Sequence, residues 1–98
     1  MNLSVFCIHD VKAGAYLPPF FLPQVAMAAR TFADCVNDPT HAFGKNPQDY
    51  TLYHLGSYDD NTAEIILQEK RSIGNGMEFK QEKSTESQID LEEANNDA

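Results

Sequence analysis

The sequence has no tryptophan and only two cysteines, and its cations are scarce. Seven Lys and Arg stand against fifteen Asp and Glu, for a formal net charge of −8 over 98 residues. That balance removes the broad attraction by which basic proteins find phosphate backbones. Any nucleic-acid contact must therefore come from a local basic patch, from aromatic stacking or from a partner. Cys7 and Cys35 are too few for a disulfide framework and no secretory feature accompanies them, so two reduced, buried thiols are expected rather than a bridge. No apolar run approaches the roughly 20 residues of a membrane helix. Met1–Asp10 has neither the basic start nor the apolar length of a signal peptide. A phosphate-cradling glycine loop, a nucleophile motif and a His-x-x-x-His pair are also missing. The length allows one small domain and excludes a multidomain enzyme.

What charge there is lies unevenly. Residues 1–76 carry eight acids and five bases, net −3, whereas residues 77–98 carry seven acids and two lysines, net −5. From Met77 onward the composition turns to Glu, Lys, Ser, Gln, Asn and Asp, too polar to offset the entropy of ordering. The expected organisation is a folded domain over 1–76 and an acidic, disordered tail over 77–98.

Within the domain, Leu3–His9 reads as a β-branched and aromatic-rich strand whose apolar residues do not strictly alternate, so both of its faces are open to being covered. Residues 11–22 read as a connection, with Pro18 and Pro19 forcing extended backbone. Its Tyr16, Phe20 and Phe21 are greasy for a loop and either cap the core or dock another chain. Residues 23–37 predict a helix: Pro23 suits the first helical position, Val25, Ala28, Ala29, Phe32, Cys35 and Val36 form one apolar stripe, and Asn37-Asp38-Pro39 stops it. A polar loop over 38–49 leads to a strand over 50–58. Asp59-Asp60-Asn61 is turn chemistry, and 62–69 is a third strand closing a hairpin. Ile73-Gly74-Asn75-Gly76 marks a further turn.

The order β-α-β-β with a helix between the first two strands predicts a right-handed crossover. Ile65-Ile66-Leu67 is the most continuous apolar run, which suits a central strand covered on both faces. The expected fold is therefore α+β: a split β-α-β-β, with a three-stranded sheet of order 1-3-2 under one covering helix. One helix covers one face, so the other is expected to stay apolar and to be covered by self-association into a homodimer.

The string Asn37-Asp38-Pro39-Thr40-His41-Ala42-Phe43-Gly44-Lys45-Asn46-Pro47-Gln48-Asp49-Tyr50-Thr51-Leu52-Tyr53 carries a resemblance. Ala15-Tyr16-Leu17-Pro18-Pro19-Phe20-Phe21 upstream and Leu55-Gly56-Ser57-Tyr58-Asp59-Asp60 downstream extend it. Together, over roughly residues 3–76, they resemble the small nonstructural protein of gokushovirus-type microviruses, tailless phages with single-stranded DNA genomes. Pro23 departs from that pattern, which has a small polar cap at the helix start. The resemblance implies an early, non-capsid protein of the host bacterial cytoplasm. It also implies DNA binding and a part in the switch of genome replication from making duplex to packaging single strands. It carries no catalytic residues.

Binding single-stranded DNA requires aromatic platforms beside cations. Tyr50, Tyr53 and Tyr58 are the candidate platforms, and Arg30, Lys45, Lys70 and Arg71 the candidate phosphate contacts. The same residues also read as core or interface tyrosines and solvated cations, given net −3 over the domain. Tyr16, Phe20 and Phe21 are the candidate partner-docking residues, toward a phage or host replication protein. Cys7 and His9 with Cys35 offer three metal ligands in principle, but their spacing matches no standard zinc pattern, so no metal or cofactor is expected. Two functions follow: a non-catalytic phage protein that binds DNA or the replication–packaging machinery, and a homodimeric adaptor that touches proteins alone.

Overall fold

Strand β1 (Asn2–Asp10) is the centre of the molecule. The computed structural model describes residues 1–81, so most of the acidic segment lies outside the described residues. Four consecutive residues of β1, Val5 to Ile8, are buried, as a strand covered on both faces requires. On one side β1 pairs antiparallel with β4 (Tyr50–Asp59) along its whole length, from Asn2 opposite Asp59 to Asp10 opposite Tyr50. On its other side lie two short strands, β2 (Ala15–Tyr16) and β3 (Phe20–Leu22), both antiparallel to it. The chain turns back after β1 through Gly14, whose φ of +66° is cheap only for glycine. The returning strand is cut in two because Pro18 and Pro19 have no N–H to donate to β1.

The sheet is thus five-stranded, antiparallel and ordered β2-β1-β4-β5, with β3 beside β1. This overturns the three-stranded sheet of order 1-3-2. β5 (Glu64–Asn75) is an edge strand beside β4, and β1 makes no ladder with it. Ile65, Ile66 and Leu67, expected at the centre, are 54%, 57% and 70% exposed. The physical reason is that an unbroken apolar run does not distinguish an inner strand from a sticky edge. β1 is flanked instead by β4 on one side and, on the other, by residues 15–22, which read as a connection. The crossover also differs: β1 and β4 are antiparallel, and the helix joins β3 to β4, two strands that run the same way with β1 between them.

That helix, α1 (Val25–Val36), buries Ala28, Phe32 and Val36, one residue per turn. It begins at Val25 with Gln24 as its extended N-cap, so Pro23 precedes the helix rather than opening it. Over about 18 Å it carries the chain back to the Asp10 end of the sheet. The stretch read as a polar loop holds a helical turn, α2 (Ala42–Lys45), and a 3-10 turn (Pro47–Asp49). The turn expected at Ile73–Gly76 is the end of β5, with α3 (Gly76–Phe79) starting directly from it. Asn75 makes a capping box with Glu78 there.

The helical pieces gather on one face. Phe6, Ile8 and Leu52 from the sheet meet Ala28, Phe32 and Val36, with Phe43 of α2 and Phe79 of α3 packed around them. Phe32 touches both of those rings, with centroids 5.7 and 5.3 Å away. Asn37 ties this layer shut: its side-chain amide donates to the carbonyls of Ala33 and Phe79, and its oxygen accepts from the Gln81 N–H.

Candidate nucleic-acid interface on the open sheet face

Side chains alternate along β1, so Phe6 and Ile8 point to the helices while Val5, Cys7 and His9 point away. The pairings carry this pattern across the sheet. Tyr16 stands opposite His9, Phe21 opposite Val5, Tyr53 opposite Cys7 and Tyr58 opposite Leu3, so all belong to the open face. Their rings make a second layer on it. Tyr16 lies against His9 at 4.5 Å and against Tyr53 at 5.9 Å, and Phe21 against Tyr58 at 5.4 Å. These rings leave Val5 and Cys7 only 4% exposed although no helix covers them.

A groove of about 470 Å³ opens in this layer, between Cys7, Tyr16, Leu17, Pro18, Pro19, Leu55 and Lys70. Three irregularities of the sheet meet there. The proline pair leaves a gap between β2 and β3, opposite Cys7. The β1–β4 register slips between Val5 and Phe6, so Leu55 is extra in β4. The β4–β5 register slips between His54 and Gly56, which leaves Gln68, Glu69 and Lys70 off the ladder. Bulges of this kind re-aim side chains, here Leu55 and Lys70 into the groove. Gly56 permits the arrangement, because a Cβ there would run into the Ile66 carbonyl oxygen.

The Lys70 ammonium lies 4.4 Å from the centre of the Tyr16 ring and 4.9 Å from that of Tyr53, and it donates to the Tyr16 hydroxyl. That hydrogen bond raises the Lys70 pKa above its ordinary value, so the cation persists at neutral pH. Burial pushes the Cys7 thiol up, against a smaller pull downward from Lys70. A thiol so placed is an inert wall of the groove rather than a nucleophile.

Of the residues expected to contact DNA, the structure brings Tyr53 and Lys70 together and sets Tyr58 farther along the same face. Tyr50 points the other way and packs on Phe43 at 4.4 Å, where burial and the nearby Asp10 and Asp49 raise its pKa. Arg30 is exposed on α1 and Lys45 ends α2, both in the helical layer. Arg71 pairs with His54 on the helical side, 3.4 Å from its Nδ1. The expected docking trio divides as well: Tyr16 and Phe21 are on the open face, while Phe20 stacks on Phe6 at 5.6 Å and belongs to the core. Cys7 and Cys35 are both free thiols, Cys7 on the open face and Cys35 on the helix that covers the other, so they share neither a bridge nor a metal site. The sequence reading missed His9 and Leu55 as parts of the site. The alternation Phe6, Ile8 against Cys7, His9 was the signal available for His9.

An antiparallel sheet roofed on one side and faced with aromatic rings around one lysine on the other defines a small α+β protein with one uncovered sheet face. The chain belongs to the Phage ORF5 protein family, whose family model matches residues 3–79. No curated protein and no solved structure matches it. The family match runs from the second residue of β1, through the other four strands, to the last residue of α3. Among the described residues, no helix is long and apolar enough to cross a membrane.

Proposed function

We propose that this phage protein is a non-catalytic nucleic-acid-binding protein that holds single-stranded DNA on the open sheet face. Its setting is the replication and packaging of a microvirus genome of the gokushovirus type, in the host cytoplasm, beside phage or host replication proteins. The observation that carries this reading is the Lys70 ammonium held between the rings of Tyr16 and Tyr53 at the mouth of the groove. Unpaired bases stack on aromatic rings and their phosphates seek a nearby cation. An incoming strand takes the place of the ammonium over the rings, and Lys70, exposed and on a long stem, swings to the phosphate. A duplex does not present its bases to such a platform, so the reading favours the single strand. The family match and the string from Asn37 to Tyr53 support the phage setting.

The test is an anisotropy titration of labelled oligothymidylate and of a duplex at two salt concentrations. Tyr53→Ala is expected to weaken single-strand binding by roughly 5- to 100-fold, the range of one lost base stack. Lys70→Ala is expected to lower the salt slope by about one. Binding that ignores both substitutions ends this reading. A second reading, a protein-only adaptor, draws on the apolar end of the same face, where Leu3, Phe21 and Tyr58 carry no cation. Apolar docking holds or strengthens as salt rises, whereas DNA binding falls.

A further inference from the structure

We infer that β5 is a self-pairing edge and that a second copy of this chain docks on it, antiparallel, about a twofold axis near Leu67. The inference shares Lys70 with the DNA reading but does not rest on it. Among the described residues, β5 pairs only with β4, so its other edge presents a free row of backbone donors and acceptors. The segment beside that edge is apolar on both faces of the sheet. Ile65 and Leu67 stand on the open face and Ile66 on the helical side, each more than half exposed. From Ile65 to Leu67 this edge has neither proline nor charge to keep other strands away; the register slip at 68–70 and Lys70 guard only its foot.

Charge selects the occupant. Glu64 to Arg71 holds two acids and two bases, net zero, in a chain of net −8, so two copies meet here without the repulsion they have elsewhere. Along the strand Glu64 stands at the head, and the foot, Glu69-Lys70-Arg71, carries a net charge of +1. Antiparallel pairing about Leu67 brings the Glu64 head of one copy to the Lys70–Arg71 foot of the other, twice by symmetry. A copy laid parallel would set like charges side by side. The open face is a poorer candidate for self-association, because its own rings already bury Val5 and Cys7. The twofold stands perpendicular to the sheet, so both grooves lie on the same side of a continuous ten-stranded surface.

Sedimentation of the full chain from low to high micromolar concentration is expected to show a species of twice the 11.0 kDa chain mass. Leu67→Lys puts two ammonium groups across the axis and is expected to weaken that dimer by at least about tenfold, with an unchanged circular dichroism spectrum. In Leu67→Cys the two thiols meet at the axis, and mild oxidation is expected to give a covalent dimer. This second variant decides the matter if the lysine variant fails to fold. A monomer at every concentration overturns the inference. So does a dimer that Leu67→Lys leaves intact, or a Leu67→Cys chain that does not cross-link where the parent chain is dimeric. Tyr53→Ala removes a groove ring on β4 and leaves the free edge of β5 untouched, so single-strand affinity and dimer mass fail separately.

Discussion

The two faces of this sheet are made by the same strands and are held in opposite ways. The helical face is closed by aromatic rings from three separate segments, Phe32, Phe43 and Phe79, driven onto Phe6, Ile8 and Leu52. The open face is closed only by its own side chains, which lie across the strands and leave Tyr16 and Phe21 48% and 41% exposed. One face spends its apolar area on stability, and the other keeps it available. The difference teaches that burial of β1 on both sides does not mean that both sides are core.

The contrast is broken most directly by a pair of truncations. Phe32→Ala is expected to cost about 3–5 kcal/mol of unfolding free energy, because it empties the point where three rings meet. Phe21→Ala is expected to cost about 1 kcal/mol or less, its ring being half in water already. Urea unfolding of both variants measures the difference, and equal losses would show that the open face is as much a core as the other. A smaller effect tests how the helical layer is locked. Asn37→Ala removes two side-chain hydrogen bonds and leaves the Gln81 N–H without its acceptor, at a cost of about 1–2 kcal/mol. The loss should appear as early exchange of the amides of α3, with those of β1 unaffected. The smallest effect comes from pH. Thr40 donates its hydroxyl and its N–H to Asp38, which holds that carboxyl below its ordinary 3.8. Its folded-state value is the lower one, so the carboxylate stabilises the fold at neutral pH. That contribution is lost as pH falls below about 3.8. Asp38→Asn should flatten the acid limb of a thermal-melt profile slightly and leave the neutral range unchanged.

The local signals in this sequence read through well where periodicity was long or punctuation strong. The stripe Ala28, Phe32, Val36 defines α1, and Asp59-Asp60-Asn61 divides β4 from β5. Beyond the β4–β5 hairpin the topology was not legible, because strand neighbours are decided by which segments return, not by how apolar each is. Ala15–Leu22 returns along β1 despite two prolines, since only the residues on either side of the pair need to donate. The candidate site was legible in part. Tyr53 and Lys70 carry the right chemistry, but their meeting depends on slips of register in two ladders, which no residue pattern announces. Tyr50 reads like Tyr53 in sequence, yet three residues along a strand reverses the face.

The proline pair has a consequence for assembly size. In a dimer joined through β5, the outermost rows of the combined sheet are β2 and β3 of each copy, and both are broken at Pro18-Pro19. A third chain finds no unbroken template there, so growth halts at two. The same proline gap that opens the groove keeps a chain with an Ile-Ile-Leu border from polymerising into fibres.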